Sequence, residues 1–174
     1  SIKGKVNAPL ILMGYLNQML KYGEEKFCQQ VVDCGIDTVI LPDLPMVEFE
    51  NHYQALFDKF GINNVFLITP LTDEERIRKI DQYTKSFIYM VASSSITGAR
   101  GEISEAQIAY FERIQAMNLK SKRIIGFGIS DHNTFSTACT YGNGAIIGSA
   151  FIKFLEQSGV SNIRKFIHHI RTGD

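Results

Sequence analysis

The sequence predicts an α/β fold in which six consecutive βα units build one parallel sheet. Short apolar runs alternate with longer segments of helical periodicity along the whole chain, and strict alternation of this kind gives a parallel sheet. The apolar runs are continuous, as in strands that are buried on both faces. Residues typical of helix caps separate the two kinds of segment and mark the division into units.

Each predicted strand is a mostly aliphatic run that ends at or just before a glycine, a proline or a small or polar residue. These runs lie at 9–14, 37–41, 64–69, 87–91, 123–126 and 145–147. Their lengths of three to six residues suit short buried strands and are too short for helices.

The predicted helices follow these strands with apolar residues at helical spacing. They cover 23–34, 47–60, 73–83, 104–118, 131–140 and 150–157, with a last helix near 161–170. Gly35, Gly61 and Gly142 come just after three of them and are expected to be left-handed C-caps. Thr72 and Ser104 precede acidic residues and are expected to be N-caps.

A parallel sheet of this kind is either an open, doubly wound sheet or a closed barrel. Six strands suit a complete open sheet, whereas a closed barrel of this class needs eight strands and typically about 250 residues. With 174 residues the chain has the length of one domain and can bury a sizeable core. Periodicity and length leave both architectures open.

Composition excludes several classes of function. The formal net charge is zero, so binding to nucleic acid or to an anionic membrane has no electrostatic support. No apolar run reaches transmembrane length, and the first residues lack the pattern of a signal peptide. The cysteines, Cys28, Cys34 and Cys139, form neither a zinc spacing nor a CxxC motif. We therefore expect a cytoplasmic protein with reduced thiols.

Two glycine motifs twenty residues apart, 124–130 (IIGFGIS) and 144–150 (GAIIGSA), carry the most information about function. Each is an apolar strand that runs into a glycine, a small hydroxyl residue and a helical pattern. Glycine lets backbone N–H groups approach an anion, and the following helix points its positive end at the same place. Two such turns on neighbouring strands predict a site for a phosphorylated metabolite, although either turn alone is also explained by tight packing.

The predicted strand ends offer little for acid–base or metal chemistry. Asp43, in 41–45 (LPDLP), is the only carboxylate there, and it serves either as a general base or, as we favour, as a cap for backbone N–H groups. No lysine at a strand end supports a Schiff base. All four histidines lie in helical patterns without metal-ligand spacing, so we expect no metal site.

Apolar residues at the strand ends are either plain core or the lining of a flat slot beside the phosphate. They are Met13, Ile40, Leu67, Tyr89, Phe127 and Ile147. The polar loop 92–104 is either a lid that excludes water or a long connection.

Five motifs together resemble the tryptophan synthase alpha chain family. They are 9–17 (PLILMGYLN), 41–45 (LPDLP), 95–98 (SITG), 126–130 (GFGIS) and 148–150 (GSA), in the family's order and spacing. The resemblance covers essentially the whole chain. It implies a (β/α)8 TIM barrel that cleaves indole-3-glycerol phosphate to indole and glyceraldehyde 3-phosphate. It also implies an α2β2 complex in which the beta chain, not this chain, holds pyridoxal phosphate.

The resemblance also implies roles for particular residues. Those matching the phosphate-binding positions are Gly98, Gly128, Gly148 and Ser149. Those matching the indole pocket or lying near it are Tyr15, Ile40, Tyr89 and Phe127. Thr97 matches the lid threonine, although the glycine that usually precedes this lid motif is replaced by Ser95. The segments 15–17 and 42–45 resemble the rim that contacts the beta chain.

A second departure from the family pattern is larger than the change at Ser95. The family's catalytic glutamate and aspartate lie at the end of its second strand and in the loop after it, and no such segment occurs in this sequence. The resemblance thus implies six βα units of a TIM barrel without the first two, the C-terminal three quarters of a single domain spanning 1–174. We expect such a chain to hold the phosphate without turnover. The alternatives are a non-catalytic binding or interaction module and another phosphate-binding barrel enzyme.

Overall fold

The computed structural model describes residues 4–92, 103–126 and 128–174. Six strands form one sheet in which the strand order follows the chain. They are β1 (Ile11–Met13), β2 (Thr38–Ile40), β3 (Asn63–Ile68), β4 (Phe87–Val91), β5 (Lys122–Gly126) and β6 (Gly144–Ala145). The pairs β1–β2, β2–β3 and β5–β6 are parallel, in registers that align Met13 with Ile40 and Ile125 with Ala145. All six predicted strands are therefore confirmed.

Helices separate the strands, as the alternation predicts. They are α1 (Leu16–Tyr22), α2 (Glu24–Asp33), α3 (Met46–Glu48), α4 (Gln54–Phe60), α5 (Glu74–Tyr83), α6 (Glu105–Ala116), α7 (His132–Tyr141), α8 (Ser149–Ser158) and α9 (Ile163–Thr172). A π-helical turn, Phe49–Tyr53, joins α3 to α4, and a 3₁₀ turn, Val160–Asn162, precedes α9.

The described chain divides into two compact units. The first contains the residues up to Phe66 together with Tyr83–Phe87. Its core includes Val39 and Phe57, and the ring of Phe49 packs edge-on against Phe66 at a centroid distance of 4.8 Å.

The second unit contains Leu67–Gln82 and the chain from Ile88 onward. Its core is formed by buried aliphatic and aromatic side chains of α5, α6 and the strands, among them Ile77, Ile80, Ile88, Met90, Phe111, Ile114 and Ile125. The Asp81 carboxylate accepts the backbone N–H groups of Lys120 and Ser121, at 3.0 and 2.8 Å, and so fixes the turn that leads into β5.

Most predicted helix ends are confirmed, and two are wrong. Gly35 and Gly61 have φ of 79° and 68°, as left-handed C-caps require, and Ser104 accepts the N–H of Gln107. Gly142 instead has an extended backbone, with φ of −125°. A β-carbon there would lie 3.0 Å from the Arg123 carbonyl oxygen, so glycine permits close packing on β5.

The predicted cap Thr72 is also wrong, because Asp73 caps α5. Its carboxylate accepts the Arg76 N–H at 2.8 Å. The Thr72 hydroxyl oxygen accepts the Thr69 N–H and stabilises the loop before the helix. Helix α1 was not predicted, because its seven residues are too few to establish a helical pattern, although Leu16, Met19 and Leu20 have helical spacing.

Candidate functional site

In the first unit, the ends of β1 and β2 lie side by side. Met13 is aligned with Ile40, and the Gly14 N–H donates to the Ile40 carbonyl oxygen at 3.1 Å. The segment that follows β2 is a tight turn in which the Leu44 N–H donates to the Leu41 carbonyl oxygen at 3.1 Å. The register therefore brings the residues after β1 next to this turn.

Asp43 links the two segments. Its Oδ1 accepts the backbone N–H of Leu16, the first residue of α1, at 2.9 Å. The first turn of α1 contains no acidic residue of its own, so a carboxylate from another loop satisfies one of its N–H groups. Of the two roles considered for Asp43, the geometry agrees with capping.

An apolar cavity of about 230 Å³ lies beside these segments in the first unit. Its lining consists of Leu12, Met13, Gly14, Tyr15, Gln18, Met19, Tyr22, Phe27 and Leu41. Tyr15 stands at its mouth, with 62% of the residue exposed. Ile40 is buried and is not among the residues that line this cavity.

In the second unit, Tyr89 lies directly over Gly126. Tyr89 is only 6% exposed, and a β-carbon built on Gly126 would overlap the far end of its ring. The Ala92 N–H donates to the Gly126 carbonyl oxygen at 3.0 Å and ties the end of β4 to β5. Burial raises the pKa of the Tyr89 hydroxyl above its ordinary value.

The first glycine motif leads into a helix that supplies its own anionic cap. The Asp131 carboxylate accepts the Thr134 N–H at 2.9 Å at the start of α7. Burial raises the pKa of Asp131, but hydrogen bonds from Thr134, Ser130 and Asn133 outweigh it and hold this pKa below its ordinary value. Because Asp131 already occupies the start of α7, an anion at this motif would bind at the loop around Gly128. Gly128 is exposed, has φ of +82°, and among the described residues no atom lies within 4 Å of where its β-carbon would be.

The second glycine motif leads into a helix with no side-chain cap. Gly148 is the N-cap of α8 and makes no side-chain hydrogen bond. Gly148 and Ser149 are exposed, and a β-carbon on Gly148 would meet no atom within 4 Å. Among the described residues, no side chain caps the first turn of α8. Uncapped N–H groups and the positive end of the helix dipole attract anions.

Three predicted site residues, Thr97, Gly98 and Phe127, lie outside the described residues, as does most of the loop 92–104. Among the residues that the structure describes, no group of His, Cys, Asp and Glu side chains could hold a metal ion. None of the described helices combines the length and the apolar content needed to cross a membrane.

Sequence reasoning missed two residues of this region. Gly126 was noted only as part of the first glycine motif, and its lack of a side chain makes room for Tyr89. Asp131 was expected only as the start of a helix. Its position three residues before a threonine is the signal that could have identified the cap.

Comparison with known proteins agrees with this geometry. The family model described as "Tryptophan synthase alpha chain" matches residues 1–172. The tryptophan synthase alpha chain of Flavobacterium johnsoniae is 52% identical over 171 residues, which are 98% of this chain and 68% of that protein. Related alpha chains from Christiangramia forsetii and Bacteroides thetaiotaomicron are matched over 66% and 61% of their lengths. The chain therefore spans about two thirds of the curated relatives it matches.

Solved structures show the same fold. The tryptophan synthase A-subunit of the hyperthermophile Pyrococcus furiosus superposes with a TM-score of 0.84 at 26% identity, over 97% of this chain and 68% of that one. A chain in the X-ray structure of the tryptophan synthase complex from that organism also matches this chain, at 25% identity and with the same TM-score and coverage. The TIM-barrel fold class is therefore confirmed. The chain belongs to the tryptophan synthase alpha chain family.

Proposed function

We propose that this chain serves the cleavage of indole-3-glycerol phosphate to indole and glyceraldehyde 3-phosphate, a carbon–carbon lyase reaction of tryptophan biosynthesis in the cytoplasm. Membership of the family supports the reaction. The observation that carries the ligand class is the uncapped first turn of α8 at Gly148 and Ser149, with open space above it. A phosphate group supplies the negative charge that these N–H groups lack.

The proposed residues divide by chemistry. Gly128, Gly148 and Ser149 hold the phosphate, with Gly98 as the fourth position by resemblance. The indole is held by apolar and aromatic side chains, for which the resemblance gives Tyr15, Ile40, Tyr89 and Phe127. Thr97 belongs to the lid. A phosphate monoester is anionic in both of its protonation states near neutral pH, so the first turn of α8 favours either of them.

The phosphate assignment is tested with glycerol 3-phosphate as the probe. Gly148→Val fills the space above the first turn of α8 and is expected to weaken binding at least about tenfold, because a charge-assisted hydrogen bond contributes about 1.5–3 kcal/mol. Glu156→Val, two turns further along the same helix and exposed, is the matched control and should bind as the wild type does. Calorimetric titration that finds equal affinity for both variants would contradict the assignment.

We further propose that the 174-residue polypeptide binds this ligand without turning it over. The family's catalytic carboxylates have no counterpart in the sequence, and each general acid or base typically contributes about 100- to 10,000-fold to the rate. Indole release by a mass-verified 174-residue chain should stay near background. Fusing the first two βα units of a relative to it should restore release. A normal rate from the 174-residue chain alone would show that another group carries the chemistry.

The proposed partner is a tryptophan synthase beta chain, which would hold the pyridoxal phosphate, so this chain needs no cofactor of its own. The structurally similar Pyrococcus furiosus subunit is found in a tryptophan synthase complex. The rim proposed to meet the partner comprises 15–17 and 42–45, where Tyr15 is 62% exposed. Co-sedimentation with a beta chain tests this, and Tyr15→Lys should weaken the association.

A further inference from the structure

We propose that Asp43 is a positioning residue that fixes Tyr15 through the start of α1, and that it acts as a hydrogen-bond acceptor and not as a base. This inference rests on the proposed function, in which Tyr15 belongs to the side that receives the indole. It assigns to Asp43 a role beyond that proposal and settles which of its two possible roles the chain uses.

Both backbone groups of Tyr15 and the N–H of Leu16 make hydrogen bonds. The Tyr15 N–H donates to Oε1 of Gln18 at 3.4 Å, and the Tyr15 carbonyl oxygen accepts the Gln18 N–H at 3.0 Å. The next N–H, that of Leu16, donates to Oδ1 of Asp43 at 2.9 Å. The last bond holds the N–H side of the peptide plane between Tyr15 and Leu16, whose carbonyl side accepts from Gln18 and Met19, and so helps to maintain the ψ of 146° at Tyr15.

Packing contributes little to the orientation of Tyr15. The residue is 62% exposed, and its helix has seven residues with only Met19 buried. Isolated helices of this length are marginal, so the direction of the Tyr15 side chain depends on the backbone bonds at the helix start. Among the described residues, two bonds join this segment to the β2 side: the Gly14 N–H donates to the Ile40 carbonyl oxygen, and the Leu16 N–H donates to Asp43. Of the two, the bond to Asp43 is the one made at the first residue of α1 and by a side chain.

The turn that carries Asp43 is well suited to hold a neighbour in place. Pro42 restricts the backbone before Asp43, Pro45 restricts it after Leu44, and the Leu44 N–H closes the turn on the Leu41 carbonyl oxygen. Leu41 and Leu44 are buried, which anchors the turn to the core. Because β1 and β2 are in register, this anchored turn fixes the start of α1 across 27 residues of sequence.

The substitution pair Asp43→Ala and Asp43→Asn separates positioning from acid–base chemistry. Alanine removes the acceptor, whereas the asparagine side-chain oxygen can still accept the Leu16 N–H. We expect Asp43→Ala to weaken the binding of indole by at most about fivefold, which corresponds to losing in the complex the whole ~1 kcal/mol that a helix cap contributes to stability. Asp43→Asn should restore affinity to near that of the wild type. Glycerol 3-phosphate, the second probe, should bind both variants as it binds the wild type.

Amide hydrogen exchange gives the local readout. The Leu16 amide should lose protection in Asp43→Ala and keep it in Asp43→Asn, with the amides of β2 unchanged in both. If the wild type binds neither indole nor glycerol 3-phosphate, the proposed function fails. If it binds both, and Asp43→Ala still binds indole normally, the positioning role is overturned. Equal loss of indole binding in Asp43→Ala and Asp43→Asn, with Leu16 still protected in Asp43→Asn, would overturn it in favour of a role for the charge.

Discussion

Gly126→Ala tests the close contact between β4 and β5 in the second unit. The added methyl group would lie 2.5 Å from the Tyr89 hydroxyl oxygen and 2.7 Å from the ring carbon that bears it. Ordinary contacts between such atoms are about 3.5–4.0 Å. The ring therefore has to move by about 1 Å, and at 6% exposure it has no solvent to move into.

The magnitude follows from two opposing effects. Overpacking a filled core costs about 1–3 kcal/mol. Replacing glycine lowers the entropy of the unfolded chain and returns about 0.4–1 kcal/mol. We expect Gly126→Ala to destabilise the fold by about 1–2 kcal/mol, and to weaken indole binding because Tyr89 leaves its position.

A double-mutant cycle isolates the contact. Tyr89→Leu removes the three atoms that the methyl group would meet and keeps an apolar side chain in the site. In that background Gly126→Ala should be neutral or slightly stabilising, which gives a coupling free energy of about 1–3 kcal/mol. Urea unfolding followed by circular dichroism measures all four variants.

Gly144→Ala is the matched control, because it is also a strand glycine but its β-carbon meets only the flexible end of Ile124, at 3.3 Å. It should change stability by less than about 0.5 kcal/mol. The reasoning is refuted if Gly126→Ala is as stable as the wild type, or if it costs the same with tyrosine and with leucine at position 89.

Three further changes follow from the described contacts. Asp81→Asn should cost about 1–2 kcal/mol at pH 7, because one amide oxygen cannot accept from both Lys120 and Ser121. Burial raises the pKa of Asp81, but hydrogen bonds from Ser121 and Lys120 leave this pKa below its ordinary value. The stabilisation by the carboxylate is therefore complete above about pH 4 and is lost as the pH falls further. The difference in unfolding free energy between the wild type and Asp81→Asn should be smaller at pH 2.5 than at pH 7, and an equal difference at both pH values would contradict this. Gly142→Ala should destabilise the fold by about 1–3 kcal/mol, because the new methyl group would lie 3.0 Å from the Arg123 carbonyl oxygen, a backbone atom that cannot move as a side chain can. An unchanged midpoint of thermal unfolding would show that the glycine has no packing role. The mass-verified 174-residue chain should self-associate through β1, whose residues are 38–56% exposed. Met13→Lys should shift its sedimentation toward that of the monomer. Equal sedimentation of the wild type and the variant would show that β1 does not form the contact.

The order of the βα units, the strands and most caps could be predicted from the sequence, because they depend on local properties. A continuous aliphatic run predicts a buried strand wherever it lies, and Ser104 caps α6 with atoms three residues away. The sequence motifs alone were also enough to identify the family. The helix α1 escaped prediction because its apolar spacing, Leu16, Met19 and Leu20, extends over little more than one turn, which is too short to distinguish from a loop.

The tertiary structure decided what depends on residues distant in the chain. Asp43 meets Leu16 across 27 residues, and only the register of β1 with β2 places them together. The sequence does not distinguish Gly126 and Gly142 from other glycines. In the structure, Gly126 makes room for Tyr89 and Gly142 makes room for a backbone carbonyl oxygen. Local propensity determines which elements form, whereas the function of a glycine or a carboxylate depends on the atoms that folding brings against it.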